Sequence, residues 1–334
     1  MAYYYPNPIN TQKGEFEANK IKLAIHHNLP LEENLHVIAV ISNVMNFKTR
    51  YRLFQEFMLR MESEPNVILY VVELCYPGQS FHITNADNPR HLQLKTDIPI
   101  WHKESMFNVG VRKLLPLDWR AVALIDGDIE MESAHWAMDT LKILNGFADM
   151  VQLFSHCVDM SKAKLAMDIH SGYGYQYEKH TPYRKSAGIN GWHPGYAWAM
   201  TRHAFEFLGG MFEYNILGGA DHNMALGFIK KNISSTGIKD LSYKTILKNY
   251  EDKIAQLRLS YVPGVIRHYF HGKKSNRGYM TRYQIAQKHH YSPVQHTLHN
   301  EDGLLVANPN TFSKEFQQDI LRYFAGRNED EEGD

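Results

Sequence analysis

Apolar and polar positions come in blocks whose periods set the first expectations. "HVIAVISNV" (36–44) is a short apolar run rich in β-branched residues and reads as a buried strand. Asn46 can cap a helix over 47–62. Within it Phe47, Tyr51, Phe54, Met58 and Met61 recur every three or four positions and share one face. "NVILYVVELCY" (66–76) is a second strand and the alternating "HLQLKT" (91–96) a third. A helix over 102–115 buries Phe107, Val111 and Leu114. "AVALIDGD" (121–128) is the next strand, 134–144 a helix and 149–158 another strand. This alternation of strand and helix predicts an α/β sandwich with a mixed, mostly parallel central sheet.

Beyond residue 160 the pattern changes. Residues 171–195, rich in Gly, Tyr and Lys/Arg, read as a long loop, and loops of that length in a compact domain are usually functional or disordered. Its tyrosines 173, 175 and 177 alternate, as a lid or a two-sided hairpin would. "YAWAM" (196–200) reads as a strand, and helical character flanks Gly218 and Gly219. Residues 261–270 form a late strand, and a last helix covers 312–325. The expected organisation is an N-terminal extension (1–35) with a short helix, one domain (36–285), a C-terminal extension with a helix (286–327), and a disordered acidic tail (328–334).

Composition narrows the class. A hydrophobic share of 44% and a charged share of 22% are those of a soluble globular protein. Lys+Arg and Asp+Glu both number 36, so no overall basic charge steers the chain onto nucleic acid, although a local groove is still open to it. Cys75 and Cys157 sit in apolar runs and read as buried free thiols in a reducing, cytoplasmic setting (host cytoplasm if the protein is viral). No run reaches the roughly 18 apolar residues of a membrane span, and no signal peptide is expected.

The chemistry starts where the central strand ends. "AVALI" runs straight into Asp126-Gly127-Asp128. A buried charge is costly unless it is paired or bound to metal. The C-terminal ends of strands in an open α/β sheet, however, form a ligand-binding crevice. Two carboxylates two positions apart point to one side of an extended backbone and can share a hard cation, Mn²⁺ or Mg²⁺. Gly127 permits close backbone approach. The plain structural reading is a turn. The chemical readings are glycosyl transfer from a nucleotide sugar, with metal neutralising the departing diphosphate, and phosphoryl hydrolysis with the first Asp as nucleophile. Hydrolases of that kind carry the doublet after the first strand, whereas here it lies mid-chain.

Four segments, in order, resemble glycosyltransferases of the GT-A fold, the β-1,4-galactosyltransferases in particular. They are "MFNVGV" (106–111), "LIDGDIEM" (124–131), "HPGYAWAMTRHAFEFLGGM" continuing to "ILGGADHNMA" (193–225), and "VIRHYFHGKKSNRGY" (265–279). "VVEL" and "WHKE" are also shared with uncharacterised phage and bacterial glycosyltransferase-like proteins. The resemblance spans about 36–285 and is strongest over 101–280. Where the galactosyltransferases have an acidic residue before the catalytic Asp this chain has Ala220. Their metal-binding Met is matched by Val265, and "SNVMNFKTR" replaces their Arg-rich loop. Galactosyl specificity therefore does not carry over.

The resemblance implies a cation held by Asp128, with Asp126 on the metal or on the donor ribose. It also implies a third ligand from His268 or His271. Three apart on a strand, these two would face opposite sides, so one of them is expected to bind, and the loop position favours His271. Asp221, after the Gly pair, would be the base for an inverting displacement, or simply a helix cap. Ser42 and Asn43 would touch the nucleotide, and Glu73 would accept from a pyrimidine ring NH. Lys103, Glu104 and Asn108 would face the donor from the helix before the doublet. Lys273, Lys274 and Arg277 would neutralise diphosphate on loop closure. Trp192, His193, Tyr196 and His222 would meet the acceptor. The expected donor is a nucleotide-diphosphate sugar, uridine-linked by preference. The expected acceptor is a glycan hydroxyl or a hydroxymethylated base in viral DNA. Against both stands a non-catalytic sugar- or partner-binding module, supported by Ala220.

Overall fold

The computed structural model describes residues 14–185, 188–278 and 281–331. The first thirteen residues of the N-terminal extension, positions 186–187 and 279–280 of the two expected loops, and the last three of the acidic tail lie outside the described residues. The strands are β1 (Leu35–Ser42), β2 (Val67–Cys75), β3 (His91–Lys95), β4 (Ala121–Ile125), β5 (Ile129–Met131), β6 (Met150–Gln152), β7 (His156–Met160), β8 (Ala166–Ser171), β9 (Ala197–Thr201), β10 (Leu259–Tyr261), β11 (Val265–His268), β12 (Thr297–His299) and β13 (Leu305–Ala307). Seven of them make the central sheet, in the order β10-β6-β9-β4-β1-β2-β3. β1 runs parallel to β2 and β4, β2 to β3, and β6 to β10, while β9 lies antiparallel between β4 and β6. This is the mixed α/β architecture with a large, mainly parallel sheet that the strand–helix alternation predicts.

Both faces of that sheet are buried, as the near-continuous apolar runs require. Ile38, Val72, Val122 and Leu124 pack into one core, and Val37, Ala39, Val71 and Ala123 into the other. The helix Lys103–Leu114 lies on the first face, where Gly110 leaves no room for a side chain: a Cβ would stand 2.9 Å from Val72. The helices Lys48–Ser63 and Trp136–Leu144 lie on the second, together with Ile21 of the helix Gly14–His27. Among the described residues no helix is long and apolar enough to cross a membrane. Both cysteines are buried free thiols.

A second sheet, β5-β11-β7-β8, leans on the first. It explains why the expected single strand over 149–158 is two. Gln152 ends the pairing with β9 and β10, the chain crosses over at 153–155, and His156–Met160 pairs with β8 and β11 instead. The expected late strand divides in the same way, into β10 and β11.

Three local expectations also change. The Gly/Tyr-rich segment contains the helix Tyr173–Glu178, with Tyr173 buried against Trp192 at 5.0 Å between ring centroids, so its tyrosines form neither lid nor hairpin. Asn46, at φ 55, does not cap the helix Lys48–Ser63. That role belongs to Asp330, whose carboxylate accepts the Lys48 and Thr49 amides at 2.9 and 2.7 Å. Of the tail expected to be disordered, residues 328–331 are held to the domain at Glu329, which is 1% exposed, and at Asp330 through the Lys48 and Thr49 amides.

Candidate functional site

A cavity of about 530 Å³ opens where β1 and β4 end. The sequence folds this way because β4 stops at Ile125 and the chain changes sheets. The Asp126 amide donates to the Tyr196 carbonyl at 2.9 Å, and β5 begins at Ile129 in the second sheet. Gly127 sits at the crossing, pressed on the Phe54 ring, where a Cβ would come to 2.2 Å. The glycine is therefore required by a close approach to an aromatic ring of the second core.

The two carboxylates have different partners. Asp126 pairs with Lys103, Nζ to Oδ1 at 3.0 Å and to Oδ2 at 3.3 Å. Burial, with Asp128 nearby, lifts the Asp126 carboxyl above its ordinary range despite Lys103. Burial alone would lower Lys103, but Asp126, Glu104 and Asp221 outweigh it and keep the ammonium charged. Asp128 turns the other way: its Oδ2 lies 2.9 Å from His271 Nε2 and 4.0 Å from His268 Nε2. Burial works against its ionisation, yet His271, His268 and Arg277 hold it well below the usual carboxylate range.

Both histidines reach this point, contrary to the expectation that only one would. β11 ends at His268, so His271 lies three residues beyond the strand and is not bound by its alternation, and Gly272 (φ +92) turns the chain immediately after it. Their Nε2 atoms are 3.3 Å apart. Register delivers the remaining partner: His268 stands opposite Asp159 of β7, and its Nδ1 meets Asp159 Oδ1 at 2.8 Å.

The Asp128–His268–His271 group fits a divalent cation. One carboxylate and two imidazoles offer ligand atoms that all lie within 4.8 Å of one another. Asp128 Oδ1 is buried and has no hydrogen-bond partner, which leaves an acceptor in want of a positive neighbour. Mixed oxygen and imidazole donors suit Mn²⁺ and its neighbours in the transition series better than Ca²⁺. A second acidic group, Asp159–Asp168–His170, fits less well because the Lys274 ammonium already sits on Asp159.

Asp221 lines the same cavity from the first turn of the helix Ala220–Phe228. Gly218 and Gly219 precede it at φ +85 and +93, and side chains there would strike Trp101, Tyr283 and Arg282. Burial would raise Asp221, but Lys103, Arg282 and the His222 amide bring it below the ordinary carboxylate value. It is accordingly ionised at neutral pH.

Several other expected residues also face the cavity. Ser42, Asn43, Trp192, His193, Tyr196, His222 and Arg277 all line it. Asn43 is partly spent on closing the 43–47 turn through both the amide and the carbonyl of Phe47. His193 stacks on Tyr196 at 4.3 Å, and burial, with His170 adding to it, pushes its pKa down to about 3, so it stays neutral.

Four expected residues stand elsewhere. Glu73 accepts the amides of His82, Ile83 and Thr84 and the Thr84 hydroxyl; it pins that loop and does not line the cavity. Asn108 clamps Met211 through amide and carbonyl and reaches Glu213, so it is structural. Glu104 is buried behind Lys103, outside the lining, and Lys273 faces Glu331 at 3.5 Å.

Lys274, expected beside Arg277, lines the cavity as well, whereas sequence reasoning missed Arg50, Asp159, His170, Arg282 and Glu329, all in or against the cavity. Asp159 carries a usable signal, a charge inside an apolar strand. Glu329, bonded to Arg50 at 2.8 and 2.5 Å and to Arg327 at 2.8 Å, carries none.

Comparison with known proteins adds fold-level likenesses. A protein described as a nucleotide-diphospho-sugar transferase from Desulfovibrio desulfuricans G20 is 10% identical over 71% of this chain and 82% of its own, with a TM-score of 0.32. The mannosyltransferase PcManGT from Pyrobaculum calidifontis, solved with GDP-Man and Mn²⁺, is 12% identical over 95% and 85%, with a TM-score of 0.44. S. aureus TarS 1-349 is 10% identical over 88% and 71%, with a TM-score of 0.33. No family model matches the chain, and no curated protein matches it significantly. Likenesses this distant do not assign a function, which has to be read from the residues above.

Proposed function

We propose that this chain is a divalent-cation-dependent glycosyltransferase. It would take a sugar from a nucleotide-diphosphate donor, uridine-linked by preference, and pass it to a hydroxyl of a glycan or modified nucleobase with inversion. One observation supports this above the rest. Three acceptor atoms converge at Asp128 in the same cavity as a charged lysine and a second, ionised carboxylate, at the C-terminal ends of parallel strands. Asp128, His268 and His271 would hold the cation, which when bound neutralises a departing diphosphate.

The chain's own groups take the other roles. Lys103 and Arg277 line the cavity as donors for phosphate oxygens. Asp221 accepts the proton of the acceptor hydroxyl. Its basicity is held down by Lys103, so drawing the ammonium onto a phosphate raises it when donor is present. Trp192 and Tyr196 offer aromatic surface to a sugar ring or a base.

Thermal unfolding with a panel of UDP, GDP, CDP and ADP, each with Mn²⁺, Mg²⁺ or EDTA, tests the reading. One nucleotide with cation should stabilise by about 2.7 kcal/mol at a hundred times its Kd, and Asp128→Asn should abolish the shift. The same nucleotide, as its sugar conjugate, should release the free nucleoside diphosphate and the sugar on incubation. Absence of any cation-dependent shift across the panel overturns the proposal. Salt-sensitive DNA binding would select the nucleobase acceptor.

A further inference from the structure

Each of the two convergent histidines has a carboxylate at its back. His268 Nδ1 is 2.8 Å from Asp159 Oδ1, and His271 Nδ1 is 3.6 Å from Glu329 Oε2. The hydrogen-bond network decides where the ring protons lie. Asp159, 5% exposed, accepts on all sides. Its Oδ1 also takes the Tyr196 hydroxyl at 3.2 Å, and its Oδ2 takes His170 Nε2 at 2.6 Å and the Lys274 ammonium. The Gly188 amide donates to His170 Nδ1 at 2.8 Å, so His170 carries its proton on Nε2, facing Asp159. A carboxylate surrounded by donors has no proton to give. The proton of the His268 contact therefore belongs to Nδ1, and the lone pair is on Nε2.

At His271 the same answer comes from the opposite side. Arg277 Nη2 lies 2.9 Å from His271 Nε2. The same Nε2 lies 2.9 Å from Asp128 Oδ2, which only accepts, so the ring hydrogen has two places. A guanidinium only donates, and the placement that gives Arg277 an acceptor, and a cation at Asp128 a ligand, puts the hydrogen on Nδ1, toward Glu329. Both Nε2 lone pairs consequently face the Asp128 carboxylate.

We infer that Asp159 and Glu329 are positioning residues, which lock His268 and His271 with their Nε2 lone pairs toward Asp128 and so preform the cation seat. The second of them is delivered by the C-terminal segment, which Asp330 pins to the Lys48 and Thr49 amides. This rests on the cation reading above. It adds two residues from outside the metal-ligating trio and makes the chain's last described residues part of the site. Carboxylates behind ligating imidazoles fix tautomer and ring orientation and raise ligand basicity.

The test is Mn²⁺ affinity of the full chain without donor, by EPR of free Mn²⁺, together with the visible spectrum of the Co²⁺-loaded protein. Asp159→Asn and Glu329→Gln should each weaken Mn²⁺ by about 10- to 100-fold and shift the Co²⁺ bands. Glu213→Gln, which breaks a His–carboxylate pair of similar geometry with His299 outside the cavity, should change neither. Should Glu329→Gln fail to fold, because Arg50 and Arg327 lose their partner, Glu329→Asp replaces it. That variant keeps the charge, withdraws it from His271, and should lose affinity to a smaller degree. Wild-type affinity and spectrum in Asp159→Asn overturn the inference while leaving the cation site standing. A wild-type chain that binds neither ion overturns the cation reading itself, and the inference with it.

Discussion

The cavity has two walls built on different electrostatic principles. On the wall formed by the large sheet and its helices, acid and base are already matched: Lys103 bonds Asp126, and Lys103 and Arg282 oppose Asp221. On the wall formed by the small sheet, no lysine or arginine among the described residues bonds the carboxylate: Asp128 Oδ2 is set against two imidazole nitrogens and its Oδ1 has no hydrogen-bond partner. A matched wall is stable by itself and can exchange one ionic partner for another. An unmatched one is complete only with a cation between its atoms. The two walls meet at Gly127, so one turn places paired and unpaired carboxylates two positions apart.

The sharpest break in this comparison is on the matched wall. Asp221→Asn should lower kcat by about 10²- to 10⁴-fold while leaving the cation-dependent nucleotide shift intact; retained turnover would remove Asp221 from the base role. Next is Glu104 behind the same wall. Burial pushes its carboxyl up to about 7 from the ordinary 4.5, with Asp221 adding to the rise and Lys103 opposing it. The unfolded chain thus ionises before the folded one, and stability falls as pH climbs from 4.5 to about 7. Glu104→Gln should flatten that slope and gain on the order of 3 kcal/mol at pH 8, read from urea melts across pH.

At the junction, Gly127→Ala would drive a Cβ into the buried Phe54 ring. A cost of about 1–3 kcal/mol in unfolding free energy and a weakened Mn²⁺ titration are expected together. Loss of stability with Mn²⁺ binding untouched would separate the turn from the seat. The smallest effect belongs to the outer surface of the small sheet. There Arg267 of β11 pairs with Glu132, just past the end of β5, the two side chains 44% and 37% exposed. Arg267→Ala should cost less than about 1 kcal/mol in the same melts.

The matched wall was largely legible in the sequence. A strong apolar strand ending in carboxylates, and an Asp following paired glycines, announce themselves because burying such groups without purpose is costly. The unmatched wall was legible only in part. His268 and His271 were visible as residues, but alternation along a strand argued that one would turn away. Only the end of β11 at His268 frees His271 to return. Asp159 is 109 positions from His268, and Arg50 is 279 from Glu329. Local periodicity carries no information across such separations. Glu73 and Asn108 show the converse: a polar group at a strand end or on the right helix face looks available until the backbone amides of 82–84 and 211 claim it.

By itself, then, the sequence determined the alternating layers, a mostly parallel central sheet and the acidic doublet at the end of a buried strand. All of these follow from short-range patterns of burial and turn chemistry. Only the tertiary structure decided which carboxylate is paired and which is left open, that both imidazoles converge, and that the C-terminal segment closes behind them. Those outcomes depend on register between β7 and β11 and on where the chain changes sheets, and both are set by packing among segments far apart along the chain.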